Sequence, residues 1–182
     1  GRGNMSNYKF IENGSVTSPL GFVAGGVIAG IKPNNTTKRD LGMIFCEKPC
    51  AAAAIFTKNR VKSDTIYVTQ EHLKNGVAQA VIVNSGNANA ATGDEGVRTA
   101  LASTGIVASV LGCDPEQVLV ASTGVIGVPL PLAPYETGQV AGACVSDAQF
   151  EALLGRPLPE AKMTIDKNMT FRDLTRSRSP LL

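Results

Sequence analysis

The sequence has few aromatic side chains and no tryptophan, with three Tyr and six Phe among 182 residues. Its apolar runs are short and separated by turn signals, so we expect a core of closely packed small side chains and backbone. None of these runs approaches the ~18 residues needed to cross a bilayer. The first residues also lack the continuous apolar stretch of a secretory signal. These absences predict a soluble globular protein without a membrane partner, in the cytoplasm, with a mitochondrial location left open.

The chain has one histidine and four cysteines, which limits its catalytic and metal chemistry. His72 lies in a polar segment, 70–76, that predicts a short exposed helix, so a Ser-His-Asp mechanism is set aside. Cys46 and Cys50 have no second pair and no nearby histidine, which disfavours a zinc site. We expect reduced, mostly buried thiols and no bound metal.

The formal charge of +2 is distributed unevenly along the chain. Residues 162–182 hold five cations and two anions, a net +3, so the other 161 residues sum to −1. The body of the protein therefore has no basic footprint for nucleic acid, and we expect no nucleic-acid partner. The basic stretch is interpreted as a short charged end of the chain.

The pattern of apolar runs predicts several short strands and two helices. Strands are expected at 21–31, 41–46, 51–56, 66–69, 80–83 and 117–121, with a turn at 47–49. A helix is expected at 95–111, capped by Asp94 or Gly93 and ended by Gly112, and a second one at 147–154. Strands that alternate with helices in this way predict an α/β or α+β layered domain.

This pattern also suggests where the domain begins and ends. We expect an N-terminal extension at 1–12, a single α/β domain at 13–160 and a divergent, weakly ordered tail at 161–182. Glycine-rich or lysine-bearing phosphate loops of the Rossmann and Walker types are absent, so nucleotide binding of those kinds is unsupported.

The strand predicted at 117–121 runs into Ser122-Thr123-Gly124, a hydroxyl-rich turn. Such a turn can aim the Thr123 hydroxyl and the Gly124 amide at one point, as a hole for a developing oxyanion requires. A strand that simply ends in a tight turn is the plainer interpretation. The catalytic one gains weight because a second polar turn, 84–90, follows the strand at 80–83.

Several blocks of the chain occur in the order found in one known family. They are 14–17, 19–22, 24–26, 29–32, 39–42, 56–61, 83–90 and 118–127, which include Asn-Ser-Gly-Asn-Ala-Asn-Ala and Ser-Thr-Gly-Val-Ile-Gly. On these blocks, nearly continuous from about residue 13 to about residue 132, the chain resembles the α chain of the ornithine acetyltransferase family. That family comprises the bifunctional glutamate N-acetyltransferases of arginine biosynthesis.

The resemblance implies a reaction and a partner. A precursor cleaves itself before a Thr, and the new N-terminal Thr of the β chain is the nucleophile, activated by its own amine. It moves an acetyl group from N-acetylornithine to glutamate, while Thr123 and Gly124 stabilise the oxyanion. No cofactor is implied, and acetyl-CoA would be a substrate. The implied fold is α+β, a layered α/β sandwich with mixed sheets that the β chain completes, in an α2β2 assembly.

The resemblance becomes weaker towards the end of the sequence. Met163-Thr164-Ile165-Asp166 is similar to a family Met-Thr-Thr-Asp block whose Thr lies at the substrate site, which assigns Thr164 to substrate binding. Ile165 departs from that block, and nothing after Asp166 matches. The sequence is expected to end before the nucleophilic Thr, through truncation, divergence or a shifted frame.

Two other functions remain open at this point. The chain could be an inactive remnant that binds a homologous partner, or part of a self-processing amide hydrolase with an N-terminal nucleophile. The family-specific blocks favour acetyl transfer over hydrolysis. An α chain on its own should expose a large apolar face and tend to associate. The 84–90 segment is expected to support the site or the contact with the β chain.

Overall fold

A computed structural model describes residues 10–136, which form a four-stranded mixed sheet with helices packed against it. The strands are β1 (Phe22–Val27), β2 (Leu41–Ala51), β3 (Val77–Asn87) and β4 (Val118–Val125), and the helices are α1 (Asp64–His72), α2 (Asp94–Leu111) and α3 (Ala133–Glu136). The sheet order is β1-β2-β3-β4. The first two pairs are antiparallel and the β3–β4 pair is parallel. This arrangement confirms the predicted α+β layered fold.

Helix α2 makes the crossover that joins the parallel strands β3 and β4. It begins after Gly93 and ends at Gly112, which has the left-handed conformation common at helix ends (φ 70°). Leu101, Thr104 and Leu111 are buried, and the Thr104 hydroxyl is satisfied by the Leu101 carbonyl at 2.8 Å. The predicted helix and its caps are confirmed.

The two faces of the sheet differ in burial. Alternate strand residues such as Leu41, Phe45 and Ile82 are buried in one cluster with residues of the helices. The strand residues that point the other way are half-buried or exposed. We call them the open face: Gly42, Ile44, Val81, Val83, Ser85, Leu119, Ala121 and Thr123.

The strand predicted at 66–69 is wrong, because these residues lie within helix α1. Ser63 caps the helix by accepting a hydrogen bond from the Thr65 amide. Thr65, Val68 and His72 are buried at helical spacing. The Thr69 hydroxyl donates to the Val120 carbonyl at 2.7 Å and accepts from the Val120 amide at 3.1 Å. Packing along the edge of β4 outweighs the strand propensity of the β-branched residues.

The prediction that His72 is exposed is also wrong, since only 3% of the residue is accessible. Its Nδ1 donates to the Val118 carbonyl at 2.8 Å, because a carbonyl oxygen can only accept. His72 and Thr69 thus satisfy backbone groups at the edge of β4 that would otherwise be unpaired. The α-helix ends at His72 rather than within a helix over 70–76, and a 3₁₀ turn at Leu73–Asn75 then leads to the left-handed Gly76.

The turn predicted at 47–49 is wrong, because these residues lie within the long strand β2. The strand predicted at 51–56 is wrong too, because β2 ends at Ala51 and 52–56 form no regular secondary structure. The pairing of β2 with β3 is irregular between Phe45 and Cys50 and resumes at Cys50 and Ala51. Such a bulge accommodates Pro49, which cannot donate a ladder hydrogen bond. In β1, a side chain on Gly26 would begin 3.1 Å from the Leu41 carbonyl, so close strand approach explains this glycine.

Several predictions fall on residues outside 10–136. They are the helix at 147–154, Thr164, Cys144 and the boundaries of the extension and the tail. Among the described residues, no helix is long and apolar enough to span a bilayer.

Candidate functional site

The two sequence motifs lie side by side at the carboxyl ends of β3 and β4. In the parallel register, Ser85 is paired with Thr123 and Gly86 with Gly124. Neighbouring strands are about 4.8 Å apart, so these residues occupy one small region at the edge of the sheet. The structure therefore brings together two segments that are almost 40 residues apart in the sequence.

Thr123 and Gly124 are both exposed. Thr123 lies on the open face, whereas its neighbour Ser122 donates from the other face to Asn84. Within the described part of the chain, the Thr123 hydroxyl makes no hydrogen bond to another protein group. An accessible hydroxyl at the end of a rigid strand is available to donate to a ligand or a reacting oxygen.

Gly124 is held in a conformation and a space that only glycine tolerates. Its φ of 138° lies in a region that side chains rarely adopt. A Cβ at this position would be 2.5 Å from the Asn87 amide nitrogen and 2.7 Å from the Gly86 carbonyl oxygen. The β4 backbone thus packs directly on the β3 backbone, which fixes the position of the Thr123–Gly124 peptide.

Asn84 connects this strand end to the rest of the fold. The residue is fully buried, and its Nδ2 donates to the Asn87 carbonyl at 2.8 Å. Its Oδ1 accepts from the Ser122 hydroxyl at 2.5 Å and from the Tyr135 hydroxyl at 3.2 Å. Burial, and secondarily the charge of Asp40, raises the pKa of Tyr135, so this phenol remains a donor.

Asn87 and Asn89 extend the same support to the loops around the site. Asn87 Nδ2 donates to the carbonyls of Val128 and Pro129 at 3.0 and 3.1 Å. The buried Asn89 donates to the Gly96 carbonyl at 2.8 Å, in the first turn of α2. The sequence pattern predicted a turn directly after the strand at 80–83, but β3 continues to Asn87. The asparagines therefore act as buried braces, which agrees with the support expected of 84–90, although the sequence pattern did not reveal their partners.

We expect Asn84→Ala to lower the free energy of unfolding by about 3 kcal/mol, because Ser122, Tyr135 and the Asn87 carbonyl lose a buried partner. Urea denaturation of both proteins measures this difference. Asn59→Ala is the matched control, since Asn59 is exposed and its loss should cost less than about 0.5 kcal/mol. Equal midpoints for the two variants would contradict the bracing role.

A second buried polar group, Asp40, lies in the loop next to this strand end. Burial raises its pKa, but hydrogen bonds from Asn35 Nδ2 and from backbone amides, including that of Ala29, more than offset this and leave the pKa below 3.8. The distances are 2.9 Å from Asn35 and 2.6 Å from Ala29. The Asp40 carbonyl also accepts from the Ser85 amide at 2.8 Å, which ties the loop to β3.

This lowered pKa predicts a pH-dependent contribution to stability. The ionised Asp40 stabilises the fold above its unfolded pKa, and the contribution disappears as the pH falls through the lower folded pKa. Asp40→Asn should therefore lower the free energy of unfolding by about 2 kcal/mol at neutral pH. Urea denaturation should show a smaller difference at pH 3 than at pH 7. A difference that grows at low pH would contradict the assignment.

The described residues contain no group of three metal-binding side chains. Cys46, Cys50 and Cys113 are free thiols. Burial, with a smaller effect of Asp114, raises the pKa of Cys113 to about 12, so this thiol remains protonated. Among the described residues, neither a metal cluster nor a thiolate of Cys113 is therefore available to the site.

The ArgJ family model matches residues 23–175 of this chain. A protein named arginine biosynthesis bifunctional protein ArgJ from Symbiobacterium thermophilum is 44% identical over 153 residues. The protein of that name from Caldanaerobacter subterraneus is 49% identical over 171 residues. These matches cover 84% and 91% of this chain but only 37% and 41% of the relatives. The chain therefore spans about two fifths of the length of these curated relatives.

Two crystal structures have the same fold. Bacillus halodurans ArgJ superimposes with a TM-score of 0.63 at 36% identity, covering 81% of this chain and 71% of that one. Ornithine acetyltransferase from Mycobacterium tuberculosis, crystallised with ornithine, superimposes with a TM-score of 0.62 at 42% identity. This match covers 70% of this chain and 66% of that one. With the family match over residues 23–175, these similarities establish that the chain belongs to the ArgJ family.

Proposed function

We propose that this chain is the α-chain part of an acetyltransferase that moves an acetyl group from N-acetylornithine to glutamate in arginine biosynthesis. The observation that carries the proposal is the exposed Thr123–Gly124 end of β4, fixed against β3, in a chain of the ArgJ family. The bifunctional ArgJ names of its relatives and the ornithine bound to one structural neighbour support this substrate class. We place the reaction in the cytoplasm.

In this proposal Thr123 and Gly124 form the oxyanion hole. Acyl transfer passes through a tetrahedral intermediate with a negatively charged oxygen, which a hydroxyl and a backbone amide stabilise by donating hydrogen bonds. The close packing of Gly124 on Gly86 supports the role, because a preorganised donor does not have to reorient during the reaction. Hydrogen-bond donation by Thr123 and Gly124 requires no metal and no organic cofactor. In this proposal acetyl-CoA is only a substrate.

The nucleophile in this proposal is the N-terminal Thr of a β chain from the same precursor, with its own amine as the base. Within residues 10–136, the single histidine is buried and occupied with Val118, which agrees with a base supplied from elsewhere. The open face supports a partner layer, because it leaves Val83 39% exposed at the centre of the sheet. We propose that the β chain covers this face, in an α2β2 assembly.

Co-expression of this chain with the β chain of a close relative tests the function. The purified complex is assayed for acetyl transfer from N-acetylornithine to glutamate. Transfer supports the proposal, while an assembled complex without turnover indicates a binding remnant. Release of free acetate that does not depend on glutamate indicates an amide hydrolase.

A Thr164→Ala complex with a raised KM for N-acetylornithine would support the substrate-binding role proposed for Thr164.

A further inference from the structure

Two hydroxyl side chains, those of Ser122 and Thr123, are adjacent at the end of β4. Neighbouring side chains of a strand point to opposite faces of the sheet, so only one of the two can lie on the open face. Ser122 is half-buried and donates into the core, whereas Thr123 is exposed. The hydroxyl that is available at the candidate site therefore depends on what holds the other one inside.

The inward hydroxyl has a buried acceptor on the neighbouring strand. Ser122 and Asn84 are register partners in the β3–β4 pair, and the Ser122 hydroxyl donates to Asn84 Oδ1 at 2.5 Å. Asn84 is fully buried, so water cannot replace this donor. Because a buried polar atom that loses a hydrogen bond is costly, the contact favours the arrangement in which Ser122 faces inwards and Thr123 outwards.

The orientation of the Asn84 amide is fixed from its other side. Its Nδ2 donates to the Asn87 carbonyl at 2.8 Å, and a carbonyl oxygen can only accept. Oδ1 must therefore face the hydroxyls of Ser122 and Tyr135, which both donate to it. Tyr135 is fully buried as well. The acceptor of the Ser122 hydroxyl is thus held inside the core before any ligand binds.

The residue on the other side of Thr123 cannot provide a similar anchor. Gly124 has no side chain, and its backbone packs on the Gly86–Asn87 peptide. Of the two neighbours of Thr123, only Ser122 therefore has a side chain that ties the strand end to the core. Its hydrogen bond to Asn84 controls which way the Thr123 side chain points.

We propose that Ser122 is a positioning residue for acyl transfer, which keeps the Thr123 hydroxyl directed at the reacting oxygen through its hydrogen bond to Asn84. This inference rests on the proposed role of Thr123 in the oxyanion hole. Ser122 faces away from the open face and acts only through its neighbour. Displacing a catalytic group by about 1 Å can slow a reaction up to about 100-fold, so loss of this anchor should weaken transition-state stabilisation more than substrate binding.

Steady-state kinetics of the co-expressed complex test this role with Ser122→Ala. The variant should lower kcat for acetyl transfer from N-acetylornithine to glutamate about tenfold and leave both KM values within about twofold. Thr69→Val is the matched control, because the Thr69 hydroxyl makes two hydrogen bonds to the β4 backbone at Val120, away from the strand end. The control should keep kcat within about twofold. An unchanged kcat in Ser122→Ala, or an equal loss in both variants, would overturn the inference.

A double-mutant cycle determines whether Ser122 acts through Thr123. In the Thr123→Ala background, Ser122→Ala should change kcat by less than about twofold, because no hydroxyl remains to be positioned. A tenfold loss in that background would show that Ser122 acts independently of Thr123, and the positioning role would be refuted.

Amide hydrogen exchange of the same complex tests the anchor without relying on activity. Ser122→Ala should accelerate exchange in the segment 122–126 at least about fivefold, since the strand end opens more readily. Thr69→Val should leave exchange in this segment within about twofold. Exchange that is unchanged in Ser122→Ala would contradict the anchoring contact. If the complex has no activity at all, the proposed function fails, and the exchange rates still decide whether Ser122 holds the strand end.

Discussion

Thr123→Ala is expected to reduce kcat for acetyl transfer about 100- to 1,000-fold in a complex that still assembles. The Thr123 hydroxyl is exposed at the end of β4 and is free to donate within the described structure. Removing one oxyanion donor has an effect of this size in acyl-transfer enzymes. The loss should appear in kcat more than in KM, because the donor acts mainly on the transition state. Steady-state kinetics with N-acetylornithine and glutamate measure it.

Thr123→Ser separates the hydroxyl from the side chain's shape. Serine keeps the donor, so kcat should recover to within about tenfold of the original value. A serine variant as inactive as the alanine variant would indicate that the methyl group and its packing matter instead. Full activity of Thr123→Ala would remove Thr123 from the oxyanion hole.

Gly124→Ala is expected to have the largest effect on stability, lowering the free energy of unfolding by about 3 kcal/mol or more. Its Cβ would overlap the Gly86–Asn87 peptide, and both neighbours are backbone atoms that no rotamer change can move. The φ of 138° adds conformational strain to this overlap. The parallel pairing of β3 and β4 should separate at the site. Urea denaturation monitored by circular dichroism reports the loss.

Gly127→Ala provides the control for Gly124→Ala. Gly127 also has a positive φ, 77°, but a Cβ there would meet no atom within 4 Å. Gly127→Ala should lower the free energy of unfolding only by the conformational strain, about 1 kcal/mol. If both variants lose the same stability, the close approach of β3 and β4 contributes nothing, and strain alone explains Gly124.

Local patterns determined the elements whose signals were both strong and self-consistent. The helix now seen at Asp94–Leu111 could be predicted because apolar residues recur at helical spacing between two glycines. The strands β1 and β4 followed from short apolar runs that end in turn residues. The strand prediction for 66–69 was wrong because β-branched residues favour strands locally. Only contacts of Thr69 and His72 with β4, about 50 residues away, select the helix.

For the candidate site, the residue types could be predicted from the sequence: a Thr and a Gly at the end of one apolar strand, and a second polar motif after another strand. The family could also be predicted, through blocks that occur in a fixed order. The register pairing of the two motifs, the burial of Asn84, Asn87 and Asn89, and the contact of the Asp40 loop with β3 became visible only in the folded chain. These relations depend on strand pairing and burial between distant segments, which no local pattern specifies.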